Sequence, residues 1–129
     1  LVGQSRRRQL RKLASHLSQT LPSHAPLILG GDFNDWTGHA SKILHGELGL
    51  TEVFEHTTGQ CARSFPSLYP ILKLDRIYCR ELNIHNSSIL DHGPWRDLSD
   101  HVPLFSELSF QKAIEGSFND PRPPHSHRR

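Results

Sequence analysis

Three short segments of this chain hold residue types that could carry hydrolytic chemistry: Gly30-Gly31-Asp32-Phe33-Asn34-Asp35, Leu74-Asp75-Arg76-Ile77-Tyr78 and Ser99-Asp100-His101-Val102-Pro103. Each sets an acid, or an acid beside an amide or imidazole, at the edge of an apolar run. Hydrolysing a phosphoester with a divalent metal needs hard oxygen ligands, a base to deprotonate water and donors for the charge on the phosphoryl oxygens. Carboxylate, amide and imidazole together meet that list.

Gly30-Gly31 lets the backbone turn tightly as it leaves an apolar strand and presents the Asp32 carboxylate at the edge of a sheet. Asn34, two residues on, can face the same side and donate from its amide. Gly-Asp-x-Asn is also an ordinary turn signal. Asp75 is harder to explain as structure, because it interrupts an otherwise apolar run from Ile71 to Tyr78, where a carboxylate is rarely buried without a partner. Arg76, next in a strand, points to the opposite face and is a poor partner. A histidine is the natural one, since the carboxylate would fix its tautomer and ring orientation. Ser99-Asp100-His101 supplies it at the mouth of the last strand, and the adjacent Asp100 and His101 could serve different roles, one toward a metal and one toward the scissile phosphate.

Other candidates carry less. Ser99 with His101 and Asp75 invites a serine-hydrolase reading, but no Gly-x-Ser-x-Gly elbow surrounds it, so Ser99 reads as a loop cap. Trp36 reads as an aromatic packed at a loop base, with stacking on a substrate as the alternative. Trp95 reads as a loop anchor or part of a pocket rim, and Asp91-His92 as loop residues.

The elements that must position these groups follow from periodicity. Ser5 is expected to cap a helix running to about Thr20, with Leu10, Leu13, Leu17 and Leu21 as its apolar stripe. Pro22-Ser23-His24 ends it. Pro26-Leu27-Ile28-Leu29 has the pattern of a fully buried strand. A second helix spans His39 to Leu48 and stops near Gly49, and Leu50 to Phe54 forms a short helical turn or strand. Ala62 to Phe65, Leu72 to Cys79, Leu82 to Leu90 and Val102 to Leu108 read as strands, the last sharing a sheet with Pro26 to Leu29. The order is αβα then ββββ, an α/β chain with an antiparallel second part. Residues 1–110 form the domain, and 111–129 a polar, proline-broken, disordered tail.

A chain of 129 residues can bury roughly two-thirds of its unfolded surface around one modest core. Its net charge is +2, and the first 110 residues hold 11 basic and 11 acidic side chains. A nucleic-acid-binding domain usually clusters its basic excess. The one cluster, Arg6-Arg7-Arg8 with Arg11 and Lys12, reads as a solvated helix face, with a phosphate-facing patch as the alternative. Cys61 and Cys79 have neither metal-ligand nor redox spacing and are expected as free thiols in a reducing, cytoplasmic setting. No apolar run approaches the roughly 18 residues of a membrane span, and no signal-peptide pattern opens the chain. Leu1 in place of Met reads as a truncated or processed start.

In this order and at this spacing the three segments resemble the C-terminal half of the endonuclease/exonuclease/phosphatase superfamily, the DNase-I-like metal-dependent phosphoesterases. Arg6-x-x-Gln9-x-x-x-Leu13 is similar to the helix after that family's central strand, and Ser64-Phe65-Pro66 is similar to a bacterial subgroup of uncertain substrate. The resemblance runs from about Gln4 to Leu108. It implies half of a four-layer α/β sandwich, a mixed or antiparallel sheet flanked by helices, with Mg2+ or Mn2+ as cofactor. It gives Asp32 as the water-activating acid, Asn34 as a phosphate contact, Asp75 as the partner of the catalytic His101, and Asp100 as a metal-associated acid. The substrate would be a phosphoester of nucleic acid, phospholipid or a small molecule. The family's first Asn, its principal Glu ligand and its mid-domain Tyr or His belong to an N-terminal half that has no counterpart here. The alternative is therefore a non-catalytic fragment or a subunit that needs a complementing N-terminal half.

Overall fold

The arginine- and leucine-rich opening segment folds as helix α1, Val2–Thr20, in a computed structural model that describes residues 2–34 and 38–112. Ser5 lies inside α1 and does not cap it, because nothing in Val2-Gly3-Gln4 stops helical hydrogen bonding from propagating back past it. The stripe also differs from expectation. Leu13 is 40 % exposed and Ala14 is wholly buried, with Leu10 and Leu17 packed on the same cluster. Residues at i, i+4 and i+7 share one helix face, and the Ala14 methyl lets the second helix approach closely. That helix, α2 (His39–Leu48), buries Ala40, Leu44 and Leu48. It ends as expected at Gly49, whose left-handed backbone (φ 70°) costs a glycine little.

β1 (Leu27–Asp32), β2 (Thr51–Glu52) and β3 (Asp75–Arg80) form an antiparallel sheet in the order β1-β3-β2. α3 (Val53–Thr58) follows β2 directly, so the Leu50 to Phe54 segment is both a short strand and a helix start. β4 (Leu82–Ile89) and β5 (Leu104–Phe110) form a separate antiparallel ribbon, with a short 3-10 turn at Gly93–Asp97 between them. Alternation along β3 sorts the core. Tyr78 packs with Leu44, Leu48 and Ala14 in the helix layer, whereas Ile77 and Cys79 pack with Val53, Phe54 and the ribbon's Leu82, Ile84, Leu104 and Leu108.

Several strand expectations are corrected. β1 is not fully buried: it lies at the edge of the described sheet, Leu27 and Leu29 meet the helix layer, and Ile28 is 57 % exposed. β1 and β5 do not share a sheet, because β1 pairs with β3 and β5 pairs with β4. Ala62 to Phe65 is not a strand and makes only the isolated bridge Phe65↔Leu72, since Pro66 and Pro70 remove ladder donors. β3 begins at Asp75, so this acid opens a strand and does not interrupt one.

Three charged side chains in this frame are buried, and none was expected from the sequence: Glu52, Arg76 and Arg80. Arg80 donates to the carbonyls of Pro22 (2.8 Å), Ala25 (2.9 Å) and Leu48 (2.9 Å), tying the ends of α1 and α2 to β3. Glu52 accepts from the backbone N–H of Glu55 at 2.9 Å, capping α3, and from that of Ile77 at 3.1 Å. Burial raises the Glu52 carboxyl above its ordinary range and pushes the Cys61 thiol up to about 12. Both cysteines are free, as expected. Ligand atoms of Glu52, Glu55 and Cys61 lie within 4.8 Å of one another, but Glu52 is already engaged by backbone and the thiol stays protonated at neutral pH. Among the described residues no helix is long and apolar enough to cross a membrane. Asp35, Trp36 and the tail from residue 113 onward lie outside the described residues.

Candidate active site

The antiparallel register of β1 and β3 sets Asp32 directly opposite Asp75. Gly31 makes this possible with φ 155°, a backbone setting that L side chains rarely adopt. Just beyond, Asp32 Oδ1 accepts the backbone N–H of Asn34 at 2.9 Å, an Asx-turn that fixes the loop locally. Asn34 is left-handed (φ 47°), which Asn tolerates better than most residues.

α1 reaches this loop through Arg6, whose Nη1 donates to the Asn34 carbonyl at 3.0 Å. With the Asn34 amide turned so that its oxygen meets the guanidinium, Oδ1 accepts from Arg6 Nη2 at 2.7 Å and Nη1 at 2.8 Å. That orientation directs the donor NH2 away from Arg6. One member of the basic cluster is thus bound to the site and is not merely a solvated face. The sequence signal for it is the Arg-x-x-Gln spacing.

His101 arrives from the loop before β5. Its Nδ1 lies 2.6 Å from Asp75 Oδ2 and its Nε2 3.9 Å from Asp32 Oδ2. Ligand atoms of Asp32, Asp75 and His101 all fall within 4.8 Å of one another. Phe65 packs on the imidazole with ring centroids 5.0 Å apart. The hydrogen bond that His101 donates to Asp75 raises the His101 pKa above its ordinary value. Partial burial opposes this, and the charges of Asp75, Asp32 and Asp100 reinforce it. The imidazole borders a cleft of about 330 Å³ lined by Gly31, Asp75, Ile77, Ser99 and Leu104 among others.

Ser99 Oγ accepts the backbone N–H of His101 at 3.1 Å, the geometry of a loop cap. Asp100 is placed differently from Asp32, Asp75 and the imidazole. Its carbonyl accepts from the Ser67 N–H at 2.8 Å, and its Oδ1 is 3.5 Å from Ser99 Oγ. Asp100 contributes negative charge at His101 but is not within the 4.8 Å cluster. Asp91 and His92 pair with each other at 3.5 Å on the surface, and Trp95 is 40 % exposed. Two residues in contact with the site were not singled out for it from the sequence: Phe65 and the wholly buried Ser64, which bonds Asp75.

Two acids at the ends of paired strands, with an imidazole held by one of them, thus come together on a mixed α/β frame. The chain belongs to the endonuclease/exonuclease/phosphatase family, whose model matches residues 2–101. It is 41 % identical over 103 residues to the uncharacterized protein YbhP of Escherichia coli K12, and equally to that of Shigella flexneri. That match covers 80 % of this chain and 40 % of the relative; the chain thus spans well under half the length of these relatives. Among solved structures it is similar to humanized D. rerio TDP2 carrying 14 mutations (TM-score 0.62, 22 % identity), over 82 % of this chain and 49 % of that one. It is also similar to D. rerio TDP2 complexed with single-strand DNA product (TM-score 0.61, 21 % identity), over 82 % and 50 %. The fold is accordingly DNase-I-like over about half of such a domain.

Proposed function

We propose that this chain supplies the Asp32–Asn34–Asp75–His101 face of a divalent-metal-dependent phosphoester hydrolase. The observation that carries the reading is the meeting of Asp32 and Asp75 with His101, from segments far apart in the sequence, with ligand atoms within 4.8 Å of one another. Asp75 holds the imidazole through Nδ1 and leaves Nε2 on the side of Asp32, 3.9 Å from its Oδ2. Its raised pKa favours the imidazolium, which stabilises negative charge developing on a phosphoryl oxygen. Asp32 serves as the acid that activates water, and the Asn34 amide orients that water or the phosphate.

The donor chemistry fits a hard cation. Asp75 is committed to His101, so Asp32 is the carboxylate of the 4.8 Å group that would hold one, with Asp100, outside that group, as the proposed second ligand, and Mg2+ is typically bound by one or two carboxylates while keeping several waters. Such a cation, Mg2+ or Mn2+, would supply Lewis acidity at the phosphoryl group. The substrate is a phosphoester of nucleic acid, phospholipid or a small molecule, and the neutral body of residues 1–110 weighs against duplex DNA. A substrate panel with and without magnesium tests the reading. Turnover that survives His101→Ala in a version completed by the proposed N-terminal half would refute it.

For the isolated chain a second reading is favoured by one observation: edge strand β1 exposes Ile28 (57 %), and β5 exposes Phe105 (49 %) and Phe110 (77 %). Unpaired edges and apolar patches are templates for association. Leu1–Arg129 alone is then a subunit that needs a complementing half, oligomeric or poorly soluble and without magnesium-dependent activity. Size-exclusion chromatography with a phosphodiester assay checks this; a monomer that turns over substrate would overturn it.

A further inference from the structure

Ser64 has no part in the chemistry above, yet it is wholly buried and its hydroxyl is fully engaged. Ser64 Oγ accepts the backbone N–H of Asp75 at 3.1 Å and donates to Asp75 Oδ2 at 2.6 Å. The direction of both bonds is forced. A backbone N–H can only donate, so the Ser64 oxygen accepts there and its single proton must go to the carboxylate. The same Oδ2 lies 2.6 Å from His101 Nδ1. Oδ2 already accepts the Ser64 proton and acts as a carboxylate acceptor, so the proton of this contact is the one on Nδ1. The chain of donors therefore runs from the Asp75 amide to Ser64, from Ser64 to Oδ2, and from His101 to Oδ2.

The main chain of Ser64 ties the same parts together. Its carbonyl accepts from the Val102 N–H at 2.7 Å, next to His101, and its N–H donates to Leu72 at 2.9 Å. One residue thus binds the start of β3, the His101 loop and the 65–72 turn.

We propose that Ser64 is a positioning residue. Its hydroxyl orients the Asp75 carboxylate and thereby holds His101 in the Nδ1–H tautomer, with Nε2 presented to the cleft. A carboxylate without this donor could rotate about its terminal torsion, which is soft, and the imidazole would follow it. The catalytic consequence rests on the phosphoesterase reading above, but the tautomer is readable without substrate.

The test is long-range 1H–15N correlation of histidine-labelled protein, recorded above the His101 pKa so that the ring is neutral, with His101→Gln assigning the signal. The wild-type ring shows one tautomer, protonated at Nδ1. Ser64→Ala loses at least half of that population while the other nine histidines are unchanged, and Ser64→Thr, which keeps the hydroxyl, restores it. Where Ser64→Ala does not fold, Ser64→Cys, with a weaker donor, carries the same comparison. In a version of the enzyme completed by the proposed N-terminal half, Ser64→Ala lowers kcat about 10- to 100-fold, the range for losing a hydrogen-bond partner that orients a functional side chain, with KM little changed. An unaltered tautomer in Ser64→Ala, or a Thr variant as impaired as the Ala variant, overturns the proposal. A tautomer lost in Ser64→Ala while no variant hydrolyses any phosphoester upholds the positioning role and overturns the phosphoesterase reading instead.

Discussion

Arg80 gives the most quantitative prediction about the frame that holds the site. Its side chain is 8 % exposed and donates three hydrogen bonds, at 2.8–2.9 Å, to the carbonyls of Pro22, Ala25 and Leu48. Leu48 closes α2, and Pro22 follows the end of α1, so the guanidinium also meets the negative ends of two helix dipoles. Hydrogen bonds to a charged group contribute about 1.5 kcal/mol or more each, and the freed side chain regains about 2 kcal/mol of rotamer entropy. Arg80→Met keeps the buried stem and removes the three donors. It should therefore cost about 3 kcal/mol, more than a hundredfold in the folded-to-unfolded ratio and a large part of a typical domain's stability. Arg80→Lys keeps the charge, but a point-like ammonium cannot span three carbonyls as the planar fork does; it should recover less than half of the loss. Urea unfolding followed by circular dichroism reads both values. A loss under about 1 kcal/mol for Arg80→Met, or full stability for Arg80→Lys, would refute the clamp.

Within the site, in a version of the enzyme completed by the proposed N-terminal half, His101→Ala and Asp32→Ala should each lower turnover on the order of 10²-fold or more, whereas Ser99→Ala is mild; a dead Ser99 variant beside an active His101 variant would favour a serine nucleophile. Because the His101 pKa is raised in the folded state, its stabilising contribution is complete below the ordinary imidazole value near 6.5 and is lost as pH rises through the raised one. Denaturation at pH 6 and pH 9 should show that loss in the wild type and not in His101→Gln; equal pH dependence in both would count against the Asp75 pairing. Arg6→Ala should leave stability within about 1 kcal/mol, as for an exposed contact, yet raise KM or lower kcat about tenfold through the Asn34 loop, and unchanged kinetics would show that Arg6 is only a solvated helix residue.

Local chemistry determined much of this protein from the sequence alone. The span of α2 and its stop at Gly49 follow from a 3.6-residue period and a glycine that accepts left-handed backbone. The turn at Asp32 follows from two glycines and an acid able to accept the Asn34 amide. Even the Asp75–His101 pair, 26 residues apart, was legible, because an acid beside an apolar strand needs a partner and imidazole is the one that chemistry offers. What the sequence left open depends on which surfaces meet. Leu13 and Ala14 suit a helix equally, and only contact with α2 decides that Ala14 is buried. β1 and β5 each read as a sheet strand, and long-range pairing alone assigns them to different sheets. Arg80, Arg76 and Glu52 carry no local mark of burial, because a charge is tolerated inside only where other segments bring it carbonyls, amides or hydroxyls. Ser64 is the same case on a smaller scale. Its hydroxyl matters through an acid 11 residues away, brought within bonding distance only when the 65–72 turn closes onto β3.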